Sequence, residues 1–355
     1  MSVNASTPAR GSGVFLVKHP VADRAWLAKL SEDIIDSEQP IVDPHHHFYG
    51  RPGDSYLLDD LLEDLNAGHN VVATVFVQAY WAHRTDGPEA LRPVGETDFV
   101  MSLLAEAARR QVPQEIGAGI VAYADLALGA AVEPVLLAQI DAGRGRVRGI
   151  RNITARDSRF LASISTPPPF GILGSPRFRE GFGLLAKHGL SYDAWVYHPQ
   201  IPELVDLARA FPETPIVLNH IGGPLGCGPY RGRRQEVFAQ WHGAMRQLAG
   251  CPNVSMKLGG LGMALGGFDF YEQVLPPSSG ELTRAWEPYL LPVIEAFGVD
   301  RCMFESNFPV EKCSCSYAVL WNAFKRIAAG ATPAEKDALF RTTAARFYRL
   351  GEHLE

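Results

Sequence analysis

The sequence predicts an α/β chain closed into a (β/α)8 TIM barrel, and three observations carry that prediction. Eight short apolar runs recur along the chain. Amphipathic helical patterns lie between them, and strand–helix alternation of this kind builds parallel sheets. The repeating part spans about 300 residues, the size of a closed eight-unit barrel. The doubly wound open sheet is the alternative, but no Gly-x-Gly-x-x-Gly segment opens a helix here.

The strands follow in order. Ile41–Asp43 comes first, then Val71–Gln78 (VVATVFVQ), Ile116–Ala122 (IGAGIVA) and Val147–Asn152 (VRGIRN). Leu190–Val196, Pro215–Asn219, Val254–Leu258 and Arg301–Ser306 complete the set. Leu57, Leu58, Leu61, Leu62 and Leu65 recur at helical spacing, and Gly68 stops that helix. Further helices are predicted over Phe99–Arg110, Leu204–Phe211, Phe238–Leu248 and Leu290–Phe297. Pro333 starts a last helix that runs over Ala334–Leu350. Residues 39–355 then make one barrel domain, and residues 1–38 an N-terminal tail and extension, of which 1–13 are small and polar.

Bulk properties narrow the function. Hydrophobic content of 46% and charged content of 20% are those of an ordinary globular protein. The net charge of −6 comes without a basic block, so no nucleic-acid partner is expected. No apolar run approaches the roughly 18 residues of a membrane span, and Val14–Val17 is too short for a signal-peptide core. A cytoplasmic protein acting on a small molecule is the expectation. The five cysteines are odd in number and scattered, which argues against a disulfide framework. Cys313-Ser314-Cys315 has too short a spacing for a common zinc pair and reads as incidental thiols.

The chemistry concentrates at strand ends. Asp43-Pro44-His45-His46-His47 follows Ile41 and Val42. Strand alternation puts His45 and His47 on one face with Asp43, and His46 on the other. Two imidazoles so spaced can bind one divalent metal. In a barrel these histidines sit at the C-terminal end of a strand, where catalytic groups collect. The other strand ends carry Gln78, Tyr80 and Trp81; Arg151; Trp195, Tyr197 and His198; His220; Lys257; and Glu305 with Asn307.

Four segments give the chain a family resemblance. They are VDPHHH at 42–47, PIVLNHIGGP at 215–224, MFESNFPV at 303–310 and TAARFYRL at 343–350. In these it resembles the amidohydrolase-related family of metal-dependent TIM-barrel hydrolases, which includes lactonases, over roughly residues 40–350. The resemblance implies His45, His47 and His220 as metal-side or oxyanion-side histidines. The family's strand-eight Asp, the water-activating base, is replaced here by Asn307, whose amide cannot accept a proton at any useful pH. Glu305 lies two residues earlier on the same face, as a replacement ligand or base, or as a structural acid paired with Lys257 or an arginine.

The remaining candidates each carry two readings. Arg151 suits a substrate carboxylate or a structural ion pair. Lys257 suits oxyanion stabilisation or an ion pair. Gln78, Tyr80, Trp81, Trp195 and Tyr197 suit a pocket with an aromatic wall, or packing. His198 sits in the loop after the fifth strand, near where related enzymes place a ligand. Asp43 suits a carboxylate that orients a histidine. The resulting expectation is a hydrolase opening a lactone or related cyclic ester of a carboxylated or aromatic-derived molecule. The metal would be zinc or manganese, held by His45, His47, His220 and Glu305; a metal-free hydrolase is the other version. A decarboxylase of an aromatic acid and a binding-only barrel are the alternative functions, and a homodimer is the expected assembly.

Overall fold

The computed structural model describes residues 15–17, 19–162 and 167–355. The polar tail expected over 1–13 lies outside them. Eight parallel strands run in chain order around one sheet. They are β1 (Ile41–His46), β2 (Val71–Val77), β3 (Glu115–Ala122), β4 (Val147–Ile150), β5 (Ser191–Ala194), β6 (Ile216–Leu218), β7 (Val254–Leu258) and β8 (Cys302–Phe304). All eight predicted strands are present, several shorter than their apolar runs.

Between β8 and β1 the ladder passes to the segment just beyond β8. His47 N donates to Phe308 O at 2.8 Å, and Asn307 N donates to His45 O at 2.8 Å. This nearly closes the barrel and sets Asn307 beside His47.

Apolar residues divide into two layers. Outside the strands, helices cover the sheet; Leu58, Leu61 and Leu65 of helix Leu58–Leu65 are buried against it. Each fully buried leucine contributes roughly 1.5–3 kcal/mol. Inside, Val42, Val75, Val77, Val121 and Val217 pack with Ala344 and Tyr348 of the C-terminal helix. That helix therefore plugs the barrel's end opposite the histidines.

Among the described residues, the sequence pattern missed helices Glu133–Ala142, Pro176–Lys187 and Tyr317–Ile327, and the single turn Arg24–Leu27. Helix Ser279–Phe297 starts well before Leu290 and passes through Pro288 and Pro292. Its capping box, with Ser278 N donating to Glu281 Oε2 at 2.8 Å, fixes the earlier start. The last helix is not continuous: a π-helical turn, Ala338–Thr342, separates Pro333–Asp337 from Thr343–Tyr348.

The extension is not all loose. Phe15–Val17 pairs in parallel with Phe160–Ala162 beside the barrel mouth. A hairpin, Tyr49–Arg51 with Asp54–Tyr56, follows β1.

Candidate active site

β1 delivers the histidines, but not with simple alternation. The ladder shifts register between Asp43 and His46. Asp43 is buried and accepts from Ser306 N at 3.0 Å and from Tyr317 Oη at 3.0 Å. It also takes His45 N at 3.3 Å. It thus fixes the β1 backbone and touches no imidazole ring. Desolvation pushes its carboxyl up to about 6. His46 turns away from the site, as alternation predicts. Its Nε2 lies 3.0 Å from Thr74 Oγ1, and its ring packs on Phe48 and Phe76.

The three other histidines meet at the barrel mouth. His47 Nδ1 lies 2.7 Å from the carbonyl of Val77. A carbonyl only accepts, so Nδ1 carries the proton and Nε2 is a bare lone pair when the ring is neutral. That Nε2 faces His45 Nε2 at 3.3 Å and Asn307 Oδ1 at 3.3 Å. Arg151 Nη1 donates to His45 Nε2 at 3.2 Å, so this nitrogen is also a lone pair. All three rings are held neutral. Desolvation depresses His45 first, then the charge of Lys257; it depresses His47 first, then the charge of Arg151. His220 is lowered by desolvation, against an opposing pull from Glu305.

Glu305 ties the cluster together. Its Oε1 accepts from His220 N at 2.9 Å and from His220 Nδ1 at 2.7 Å. Its Oε2 lies 2.7 Å from His45 Nδ1. That contact is close but off the hydrogen-bonding direction, and Oε2 is left buried without a hydrogen-bond partner. His45, His220 and Glu305 offer ligand atoms all within 4.8 Å of one another. Two neutral imidazoles and a carboxylate with an unsatisfied oxygen form a donor set that fits a divalent metal. His47 stands next to this trio, across the His45 ring.

Glycines make the cluster possible. A Cβ on Gly260 would sit 2.3 Å from His220 Cβ, and one on Gly259 would sit 2.6 Å from Glu305 Cγ. A Cβ on Gly223 would meet the Trp195 ring at 2.8 Å. Trp195 in turn packs edge-on against His220, with centroids 4.6 Å apart. His220, Asn307 and Tyr80 take left-handed backbone conformations, with φ of 54°, 54° and 55°. Non-glycine residues adopt these rarely, and they gather at sites that position side chains.

The other candidates separate by location. Lys257 is buried in an ion pair with Asp193 Oδ2 at 2.8 Å, and its Nζ lies 3.3 Å from His45 Nδ1. Tyr348 and Asn219 also donate to Asp193. Arg151 turns its fork inward, to His45 and to the Gln78 carbonyl. Tyr80, Trp81, Trp195, His47, Arg151, His220 and Asn307 line a cavity of about 730 Å³. Gln78, Tyr197 and His198 do not line it. Gln78 is wholly buried beneath Tyr80, accepting from Tyr80 N at 3.1 Å. Tyr197 packs on Phe160 and Trp195. His198 Nδ1 accepts from Leu225 N at 3.3 Å, and its ring lies on Tyr230.

Several site residues carried no sequence signal. His19 and Leu16 come from the extension to line the cavity, and Arg51 comes from the hairpin. Glu96 accepts from Ala79 N at 2.7 Å and Trp81 N at 3.1 Å, holding the loop after β2. Glu311 is buried behind Asn307 and accepts from Gly262 N at 2.7 Å. Desolvation, reinforced by Glu305, pushes its carboxyl up to about 8. Only the helical spacing from 307 to 311 hinted at that pairing. All five cysteines are buried free thiols, as the scattered positions suggested.

Comparison with known proteins agrees with the barrel fold. The Amidohydrolase family model matches residues 42–350. The chain is 34% identical to the uncharacterized protein y4mH of Sinorhizobium fredii, over 88% of this chain and all of that one. It is 26% identical to an L-fucono-1,5-lactonase of Burkholderia multivorans, over 88% of this chain and 96% of the lactonase. A crystal structure of an amidohydrolase from Burkholderia multivorans with bound zinc superposes with a TM-score of 0.67 at 26% identity, covering 88% of this chain and 99% of that one. With a barrel mouth holding His45, His47, His220 and Glu305, and a match along nearly all of the barrel, the chain belongs to the amidohydrolase family.

Proposed function

We propose that the protein hydrolyses a lactone or related cyclic ester of a carboxylated or aromatic-derived small molecule. The observation that carries this reading is Glu305. One oxygen is fixed by His220, which lines the cavity, and the other lies beside His45 without a hydrogen-bond partner, buried behind that lining. An unpaired carboxylate oxygen among neutral imidazoles can take a proton from water. Its position two residues before Asn307 supplies the acid that the strand-eight position lacks. The lactonase relative supports the ester class.

The steps follow from the residues. Tyr80, Trp81 and Trp195 hold the ring of the substrate. Water adds to the lactone carbonyl carbon as Glu305 takes one of its protons. Asn307 and His47 line the cavity beside the substrate carbonyl, and the Arg151 guanidinium on the same wall supplies the positive field that favours negative charge on the carbonyl oxygen. The ring C–O bond then breaks, and the proton on Glu305 passes to the leaving alkoxide, giving a hydroxy acid. A divalent metal held by His45, His220 and Glu305 would instead take the free Glu305 oxygen as a ligand, and would itself polarise the carbonyl and acidify water.

Glu305→Gln tests the reading. On a panel of five- and six-membered lactones, its kcat/KM should fall at least about 100-fold with the melting temperature retained. Zinc uptake, read by elemental analysis after dialysis, should fall with it. Full retention of lactone opening in the folded variant would overturn the proposal.

A further inference from the structure

We infer that Arg51 selects a substrate bearing a carboxylate remote from the scissile ester. This rests on the lactone-hydrolase reading and adds to it a specificity residue and the placement of the charge. Among the described residues, the cavity of about 730 Å³ is lined by two arginines, three histidines and three large aromatics at Tyr80, Trp81 and Trp195, and by no acidic residue. Such a wall attracts an anion with flat or apolar parts.

Of the two arginines, Arg151 is already engaged. Its Nη1 and Nη2 donate inward, to His45 Nε2 and the Gln78 carbonyl. Arg51 is different. Its Nη2 donates to Ala79 O at 2.9 Å, and its guanidinium lies 4.5 Å from the centroid of the Tyr49 ring. These two contacts hold the guanidinium in place while leaving its other N–H groups unspent. No carboxylate of the described residues forms an ion pair with it, whereas nearby Arg24 pairs with Asp60 and Glu63, and Lys312 with Asp64.

Arg51 also sits at a seam. A second cavity, of about 410 Å³, shares His19, Arg51 and Val310 with the first. His47, His220 and Asn307 line only the first cavity, and Arg51 lines both. A carboxylate held there would lie toward the second cavity, away from the ester. Guanidinium and carboxylate form paired charge-assisted hydrogen bonds, the geometry an uncommitted arginine offers best.

The test compares a γ-lactone bearing a carboxymethyl arm with its uncharged amide, on the full-length enzyme. Wild type should prefer the acid by at least about tenfold in kcat/KM. Arg51→Met should erase that preference through KM, and Arg51→Lys should retain part of it. An acid-to-amide ratio unchanged by Arg51→Met, or no preference in wild type, overturns the inference. If neither lactone is opened, the hydrolase reading fails, and binding decides Arg51 by itself. Calorimetry with the ring-opened hydroxy dicarboxylate should then give a Kd weakened about tenfold by Arg51→Met. Equal affinities, or no binding to wild type, overturn it.

Discussion

A single methyl group at position 260 should disable the site. Gly260 has φ of +77° and follows β7, directly against His220. The Cβ of an alanine there would lie 2.3 Å from His220 Cβ, 2.7 Å from its Cγ and 2.9 Å from its Cα. Carbon atoms pack at about 3.5–4.0 Å, so His220 must retreat by more than about 1 Å. His220 has little freedom to do so, since its own φ is 54° and Trp195 packs on its ring. The left-handed backbone adds about 1–2 kcal/mol for alanine, and the overlap about 1–3 kcal/mol. With 355 residues, an unfolding entropy near 2.1 cal/mol/K per residue makes 1 kcal/mol worth about 1.3 °C. Gly260→Ala should therefore lower the melting temperature by about 3–7 °C. It should also break the 2.7 Å contact between His220 Nδ1 and Glu305. A displacement of that size costs about 100-fold in rate. Scanning calorimetry and lactone kinetics on the same preparation check both numbers. Activity within twofold of wild type, with a melting temperature shifted by under 1 °C, would refute the steric argument.

Two further outcomes follow from buried charges. Lys257→Met leaves Asp193 buried without its cation, although Tyr348 and Asn219 still donate to it. Breaking such a pair costs about 3–5 kcal/mol, so thermal denaturation should begin about 4–7 °C lower; an unchanged melting temperature would show the pair to be idle. Glu311 has a folded-state carboxyl raised to about 8, above its ordinary 4.5. Folding therefore favours its protonated form, and stability should decline as pH rises from the unfolded value toward 8. Glu311→Gln should make the fall in melting temperature between pH 5 and pH 8 shallower, the raised Asp43 carboxyl keeping part of it, and a variant with the full wild-type slope would show that Glu311 contributes none of it.

The sequence by itself determined the barrel and most of the chemistry at its mouth. Eight apolar runs separated by helical patterns leave few topologies, because parallel strands buried on both faces need helices around them. The placing of His45, His47, His220 and Glu305 at strand ends followed from the same alternation. What the sequence could not decide depended on distant contacts. The register shift after Asp43 turned that carboxylate toward Tyr317, because a one-residue slip sends a side chain to the other face. Arg151 reads in sequence as an arginine for the substrate, yet His45 and the Gln78 carbonyl occupy its fork. His198 follows the fifth strand, near where related enzymes place a ligand, yet its ring rests on Tyr230. Arg51 and His19 reach the cavity only because a hairpin and the N-terminal extension fold over the mouth. Gly259 and Gly260 look like ordinary loop residues until the third dimension sets His220 and Glu305 against them. Local pattern records which face a side chain takes within its own element. Which groups share a cavity is set by tertiary packing between elements far apart in the chain.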